Sequence, residues 1–301
     1  MKAIIQTKYG GPETLQLAEV SIPEMKDNQI QVKIHASNIA SGDMRINTMD
    51  VPAVLKPIMW ALFGFKGPRR NIRGISASGE VRAVGSKVSK YKIGDAVYFI
   101  NSMKAGCLAE YVTLNEKAVI AIKPNKISFI EAAPIAFGAM SAYHFINSKS
   151  IQKGNDVLIY GASGSVGSYA LQLAKYYGAT VTAVSSKKNH KILLELGADH
   201  VIDYVTDDFR LQNKKYDIVF DAVGKLSKKS CKDVLNSQAK YMSVKTPTKE
   251  SSVRLEELNK IIEEGKLNTV IDSTYELTEY AQAHTHTYSG HKVGNVVIKI
   301  L

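Results

Sequence analysis

The sequence predicts an α/β protein in which a β-rich, barrel-like domain precedes a doubly wound parallel sheet. Over the first 123 residues, short apolar runs are separated by Gly, Pro and Asp turns, as expected for strands. From about Ser128 the pattern changes to a long helical stretch, and strands then alternate with helices. This alternation is typical of a parallel sheet covered by helices.

The first domain is predicted to be built from strands that end at turn residues. They cover Lys2–Thr7, Leu15–Val20, Ile30–Ala36, Gly79–Gly85, Ala96–Ile100 and Glu110–Leu114.

The second domain is predicted to open with a helix over Ser128–Asn147. Its strands are predicted at Asp156–Tyr160, Thr180–Ser185, His200–Asp203, Asp217–Val223 and Lys240–Lys245. A helix over Tyr275–Ser289 and a strand over Val293–Ile300 are expected to return to the first domain. We therefore expect a substrate domain of residues 1–123, a nucleotide-binding domain of residues 124–268 and a returning segment of residues 269–301.

Composition favours a globular protein of a reducing compartment. A chain of 301 residues with 45% hydrophobic residues can bury a large core. Two cysteines provide neither a disulfide framework nor a four-cysteine zinc lobe. No apolar run is long enough to span a bilayer, and the start turns polar too soon for a secretory segment. We expect a cytoplasmic protein with no membrane partner.

The charge is strongly positive. The 39 Lys and Arg residues exceed the 28 Asp and Glu residues, which gives a net charge of +11. Such a charge suits nucleic acid, an anionic membrane or an anionic cofactor. The sequence contains no long block of like charge, no RNA-recognition signature and no paired-cysteine finger, so we expect no nucleic-acid partner.

A glycine-rich turn between a strand and a helix is the most informative motif. The strand Asp156–Tyr160 leads into Gly161, and a helical pattern follows to Tyr177. Backbone N–H groups and the positive end of the helix dipole favour a pyrophosphate at this position. A tight turn without a ligand is the alternative. The expected cofactor-binding residues are Ala162, Ser163, Gly164, Ser165, Val166 and Gly167.

The segment after the second strand favours NADPH over NADH. An NAD site places an acid about 20 residues after the glycine turn to bind the ribose 2′-hydroxyl, but no acid occurs between Val157 and Leu194. Small hydroxyls and lysines stand there instead, which suits a 2′-phosphate. A solvated basic loop is the alternative. The residues expected to bind this end are Ser185, Ser186, Lys188 and Asn189.

Ordered motifs along nearly the whole chain carry a family resemblance. They are Gly79-Glu80-Val81 with Val84-Gly85, Gly94-Asp95-Ala96-Val97, Gly106 to Tyr111, Gly197-Ala198-Asp199 with Tyr204, Asp221-Ala222-Val223-Gly224 and Gly290 to Asn295. With these segments the chain resembles the medium-chain dehydrogenases/reductases, in the quinone oxidoreductase, or zeta-crystallin-like, branch. In that branch Ala is also usual at the position of Ala162.

The resemblance implies a GroES-like β-barrel domain and a Rossmann NADPH-binding domain. It implies further cofactor contacts beyond the glycine turn. Lys188 and Tyr204 would bind the adenosine 2′-phosphate end, Val223, Gly224 and Ser243 would line the nicotinamide side, and Asn295 would reach the cofactor from the terminal strand.

The resemblance also implies an enzyme without catalytic zinc. Zinc-dependent members carry Cys, His-Glu and a further Cys at positions that hold Ala40, Ile75-Ser76 and Phe137 in this chain. Ala, Ile and Phe cannot bind zinc, and Ser is a poor ligand. No acid or cysteine is expected to accompany His284, His286 and His291, so we interpret them as surface or packed residues and expect no metal.

Two departures from the family pattern alter the predicted substrate pocket, and a third bears on the dimer. Zinc-free relatives commonly have Asn where Ala40 stands and an acid where Ser76 stands. The region between Lys245 and Leu255 is also shorter than in typical relatives, which have a further strand and helix there. Because that strand often forms the dimer edge, homodimerisation stays open.

The resemblance implies hydride transfer from NADPH to a quinone or an enone. The cofactor carries the chemistry, so the protein has to position the reactants and stabilise the developing oxyanion. The pocket candidates are Ser41, Asp43, Arg45, Trp60, Ser76 and Phe137, with Arg45 as the counter-charge. Turn capping by Asp43, solvation of Arg45 and packing of Trp60 are the alternatives.

The sequence raises two rival functions, and the second of them stays open. Tyr241 and Lys245 match the Y-x-x-x-K motif of short-chain reductases, but on a strand they would stand roughly 13 Å apart, too far to interact. A non-catalytic NADPH-binding sensor or RNA-binding protein on the same fold is the other rival, and Ala40 and Ser76 support it. The identity of the substrate depends on the shape of the pocket, and that shape depends on the path of residues 51–70.

Overall fold

The structure, a computed structural model, describes residues 1–147 and 149–301. The chain forms two compact units. One unit combines Met1–Phe137 with Ile271–Leu301, and the other consists of Gly138–Val270.

The first stretch of the chain is rich in strands, as the sequence predicts. Its elements are β1 (Lys2–Gln6), β2 (Leu15–Glu19), β3 (Gln29–Ile39), α1 (Ser41–Thr48), α2 (Lys56–Phe63), β4 (Ser76–Val84), β5 (Ala96–Ile100), β6 (Tyr111–Asn115), β7 (Val119–Ile122) and α3 (Phe129–Ala132).

The second unit alternates strands and helices. Its elements are α4 (Met140–Phe145), β8 (Asp156–Tyr160), α5 (Ser165–Tyr176), β9 (Thr180–Ser185), α6 (His190–Glu195), β10 (His200–Asp203), β11 (Tyr216–Asp221), β12 (Leu235–Ser243) and α7 (Ser252–Glu263). The last stretch returns to the first unit as β13 (Ile271–Glu276), α8 (Tyr280–Tyr288) and β14 (Asn295–Lys299).

The returning strands complete the main sheet of the first unit. The strand order is β13-β14-β3-β4-β5-β7, with β6 paired to β3, and β1 pairs separately with β2. β3 alternates between buried and half-buried residues over most of its length, so one of its faces packs into the core. Ile30, Val32 and Ile34 lie in that core with Val296 and Ile298 of β14.

The second unit contains the predicted doubly wound sheet. Its strand order is β10-β9-β8-β11-β12, and every pairing is parallel. The chain order reverses between β8 and β11, and ligands of such sheets bind at the carboxyl ends of the strands next to this switch point. Val157, Leu158 and Ile159 of β8 are fully buried, as expected for a central parallel strand.

The predicted helix over Ser128–Asn147 is wrong in its continuity. Ser128 caps α3 as the sequence suggests, since its hydroxyl accepts the N–H of Glu131 at 3.2 Å. The helix ends at Ala132, and a π-helical turn at Ile135–Ala139 precedes α4. Pro134 explains the break, because proline lacks an N–H donor and its ring clashes with the preceding turn.

The predicted helix over Tyr275–Ser289 begins too early. Tyr275 and Glu276 belong to β13, where they pair with Ile298 and Lys299 of β14. The helix α8 begins at Tyr280. The pairing with β14 is remote in sequence, so local periodicity does not reveal it.

No helix of the described residues has the length and apolar character needed to cross a membrane.

Candidate cofactor and substrate site

The glycine turn has the geometry of a phosphate-binding loop. Gly161 has a φ of +78°, which L side chains rarely adopt, and α5 starts after Gly164 without an acid in its first turn. A Cβ on Gly167 would overlap the carbonyl oxygen of Gly161. A Cβ on Gly164 would meet only that oxygen, at 3.5 Å. The backbone of the turn is therefore open on the side where a phosphate would approach the start of the helix.

A side-chain network connects this turn to the end of β9. The amide of Asn189 donates to the hydroxyl of Ser163 at 2.9 Å and to the hydroxyl of Ser186 at 3.2 Å. Asn189 is buried, whereas Lys188 is exposed. The network places Ser163, Ser186 and Asn189 together. No hydrogen bond or ion pair occupies the Lys188 ammonium among the described residues, so it can bind an anion.

Tyr204 lies on the neighbouring strand end. Its backbone N–H donates to the carbonyl of Ser185 at 3.2 Å, and its side chain is exposed. The preceding residue, Asp203, is buried and pairs in register with Ser185. The carboxylate of Asp203 accepts the backbone N–H of Val205 at 3.0 Å. Tyr204 and Lys188 are therefore both exposed at this edge, as are Lys187 and Val205.

Asp221 shapes the loop after β11, and the sequence analysis did not select it. Its buried carboxylate accepts the backbone N–H groups of Val223 at 3.1 Å, Gly224 at 2.8 Å and Leu226 at 2.8 Å. Its Oδ2 also lies 3.4 Å from the hydroxyl of Ser243. An Asp that precedes a turn commonly binds nearby N–H groups, so Asp221-Ala222-Val223-Gly224 carried a usable signal. Asp221 thus fixes the three predicted residues of the nicotinamide side.

The helix α1 separates the predicted pocket residues. Ser41 and Arg45 lie four positions apart on one face of the helix, and both are exposed. Asp43 and Asn47 lie on another face and are buried. The structure therefore brings Ser41 and Arg45 together and points Asp43 into the unit.

Asp43 holds the start of α1 and faces a buried arginine. Its Oδ2 accepts the N–H of Ala40 at 2.9 Å. Burial raises the pKa of this carboxyl to about 6, against the backbone hydrogen bonds and the charge of Arg73, which lower it. Arg73 is buried as well, and its Nε donates to the side chain of Asn47 at 2.7 Å. Burial lowers the pKa of Arg73, and the charge of Asp43 counteracts that shift.

Ser76 lies beside a buried amide that the sequence analysis missed. Ser76 on β4 pairs in register with Asn38 on β3, and both side chains are buried. The Ser76 hydroxyl and both polar atoms of the Asn38 amide have no hydrogen-bond partner among the described residues. Leaving such a group unpaired costs about 1–3 kcal/mol, so the pair calls for an explanation. Asn38 lies on β3, and Ala40 follows directly after the end of that strand.

The positions compared with zinc ligands contain no cluster of donors. The described residues include no group of three His, Cys, Asp or Glu side chains that could hold a metal ion. His284 is buried, and burial lowers its pKa to about 4. His286 pairs with Asp272, since its Nε2 lies 3.1 Å from a carboxylate oxygen. Phe137 packs near α1, where its ring would contact a Cβ added to Gly42.

Three motif residues remain, and they lie on or just beyond strands. Asn295 begins β14 and is buried. Tyr241 lies on β12, as the sequence predicts, and Lys245 lies beyond the end of that strand. Tyr241 and Lys245 therefore do not share a helix face, as the motif of short-chain reductases requires.

Two family models match the chain. The model described as alcohol dehydrogenase GroES-like domain matches residues 26–124. The model described as zinc-binding dehydrogenase matches residues 165–285.

Named relatives extend over nearly the whole chain. A 2-methylene-furan-3-one reductase of Solanum lycopersicum is 32% identical over 99% of this chain and 79% of its own length. A chloroplastic NADPH-dependent alkenal/one oxidoreductase of Arabidopsis thaliana has the same identity and coverage. The solved quinone oxidoreductase of Coxiella burnetii has a TM-score of 0.84 and 29% identity, and the match covers 100% of this chain and 99% of that one.

Proposed function

Because the chain belongs to the quinone oxidoreductase branch of the medium-chain dehydrogenases/reductases, we propose that it is an NADPH-dependent oxidoreductase that reduces a quinone or an α,β-unsaturated carbonyl without metal. One observation supports NADPH as the cofactor. The glycine turn, the hydroxyls of Ser163 and Ser186 and the unpaired Lys188 form a connected site. An anion with phosphates at both places fits this arrangement.

NADPH would supply a hydride from its nicotinamide ring. Val223 and Gly224 line the nicotinamide side in this proposal, and the three backbone bonds to Asp221 hold their loop in one conformation. Because the loop is already fixed, it positions the reactants without a further entropy cost during the reaction.

We propose that Arg45 stabilises the oxygen that becomes negative during the reduction, with Ser41 as a neighbouring hydrogen-bond donor. Both side chains are exposed on the same face of α1. Asp43 acts as a positioning residue, since it is buried and binds the start of that helix. Asn38 supplies a buried amide opposite Ser76, two residues before Ala40.

The reaction is tested by following NADPH absorbance with a panel of quinones and short enones. We expect turnover with at least one acceptor, and an Arg45→Ala variant should lose about tenfold in kcat/KM. Arg82→Ala is the matched control, because Arg82 is an exposed arginine of the same unit. Binding of NADPH without turnover of any acceptor would overturn the proposed reaction and leave the NADPH-binding sensor or RNA-binding alternative.

Zinc and chelators are expected to leave this activity unchanged. The positions compared with catalytic zinc ligands hold Ala40, Ile75, Ser76 and Phe137, of which only Ser has a weak donor. Metal analysis of protein purified without added zinc, together with assays after chelation, checks this. Stoichiometric zinc whose removal abolishes activity would contradict it.

We propose that the protein is monomeric or weakly dimeric. Within the described residues the sheet of the second unit ends at β12, and α7 follows without a further strand of that sheet. A strand that pairs across an edge-to-edge dimer is thus missing. Light scattering over a range of concentrations measures the state, and a dimer that persists on dilution would contradict this proposal.

We also propose a cytoplasmic location. Both cysteines, Cys107 and Cys231, are free and buried, which suits a reducing compartment.

A further inference from the structure

A short apolar segment of the first unit is exposed along one side. Val54 is 81% exposed, Ile58 59% and Phe65 68%, and Leu55 and Leu62 are each close to half exposed. The helix α2 in this segment has no buried residue. Clusters of large exposed apolar side chains mark binding surfaces more often than single ones do.

Helical spacing places Ile58 and Leu62 on one side of α2. Ile58 and Leu62 lie one turn apart on α2, and Val54 precedes Ile58 by the same interval. The half-buried Trp60 packs edge-on against Phe65, with ring centroids 4.9 Å apart. The apolar side is thus an ordered surface.

Hydrogen bonds fix the segment to the rest of its unit. The hydroxyl of Tyr9 donates to the carbonyl of Gly64 at 2.8 Å, which joins the segment to the rest of the unit. Within the segment, the N–H of Arg69 donates to the carbonyl of Phe63 at 2.7 Å. Exposure of the apolar side therefore does not result from an unanchored loop.

The segment that carries this surface is positively charged. Residues 51–73 include no acid, and Lys56, Lys66, Arg69 and Arg70 flank the apolar side chains. Arg69 and Arg70 also line a cavity of about 530 Å³ with Lys26 and Lys104. Glu24 is the acid among the lining residues. A cationic cavity that includes the last residues of an apolar segment suits a ligand that combines an anionic headgroup with apolar chains.

We propose that residues 54–70 form a peripheral membrane-binding surface for bilayers that contain anionic lipids. The apolar side of α2 enters the interface, and the surrounding Lys and Arg side chains contact the headgroups. From the sequence no membrane partner is expected, because no apolar run spans a bilayer. Peripheral binding needs no spanning segment.

Charge argues against a second copy of the chain as the occupant. A two-fold dimer places the same patch of both copies face to face. Here that arrangement would bring the four flanking cations of each copy together without an acid from the same segment. Anionic lipid provides the opposite charge.

The test is sedimentation of the full chain with vesicles of phosphatidylcholine, with and without phosphatidylglycerol. We expect binding to the anionic vesicles that falls with added salt. The Ile58→Ser, Leu62→Ser variant should bind about tenfold more weakly. Lys66→Gln with Arg70→Gln should weaken binding by about fivefold per charge.

Matched controls exist in the same unit. Ile93 is 62% exposed, so Ile93→Ser controls for loss of an exposed isoleucine. Lys90→Gln with Lys92→Gln controls for loss of two exposed lysines. Neither control should change vesicle binding.

Trp60 gives a second readout, because it is the single tryptophan of the chain. Its emission should shift to shorter wavelength on binding to anionic vesicles. The proposal is overturned by absent vesicle binding, by equal losses in the controls, or by a Trp60 emission that does not respond. It is also overturned if the Ile58→Ser, Leu62→Ser change alters only the oligomeric state or substrate turnover.

Discussion

Replacing Lys188 with Ala is expected to weaken NADPH binding about 10- to 150-fold and to leave NADH binding nearly unchanged. A hydrogen bond to a charged group contributes roughly 1.5 to 3 kcal/mol, which corresponds to this range. Lys188 is exposed next to Ser186 and Asn189, and the structure gives its ammonium no partner in the described chain. NADH lacks the 2′-phosphate, so it loses no contact. Fluorescence titration of both cofactors measures the difference.

Two neighbouring lysines test whether Lys188 contacts the 2′-phosphate directly or only adds to the positive electrostatic field around it. Lys187 and Lys191 are also exposed and carry the same charge, so their Ala variants should retain most of the NADPH affinity. Ser185→Asp should reduce NADPH binding further by repulsion and provide a partner for the ribose of NADH. Equal weakening of both cofactors in Lys188→Ala, or a preference of the unmodified protein for NADH, would contradict the assignment.

The cofactor turn was predictable because its signals are local. The strand Asp156–Tyr160, the glycines and the start of α5 follow one another directly in the chain. The central strands were equally accessible, since Val157, Leu158 and Ile159 form an apolar run bounded by a turn. The absence of an acid from this region was likewise visible in the sequence.

The substrate side depended on contacts that no local pattern reveals. Asn38 and Ser76 meet through the register of β3 and β4, across 37 intervening residues. The helix α1 was not predicted, because it buries the polar Asp43 and Asn47 and so lacks an apolar stripe. Without that helix, Ser41, Asp43 and Arg45 formed one pocket in the prediction. The helix period instead places Asp43 on the inner side.

Asp43→Ala is expected to destabilise the protein by about 3 to 5 kcal/mol. The change removes the acceptor of the Ala40 N–H and leaves the buried Arg73 without a nearby carboxylate. Asp43→Asn keeps an acceptor of similar shape and should lose less. Urea unfolding at neutral pH measures both variants. Asp50→Ala is the control, because Asp50 is exposed just beyond the same helix and should change the free energy of unfolding by less than about 0.5 kcal/mol.

The pH dependence of unfolding tests the same carboxyl independently. Its pKa is raised from 3.8 to about 6 in the folded chain, so between these values the folded state holds a proton that the unfolded state has released. The contribution of Asp43 to the free energy of unfolding therefore increases as the pH falls from about 7 to about 4, by about 3 kcal/mol. Asp43→Asn cannot titrate and should lack this component, so the stability difference between the two proteins should change with pH. A difference that stays constant across this range, or an Asp43→Ala variant as stable as the unmodified protein, would show that the carboxyl is neither buried nor required at the start of α1.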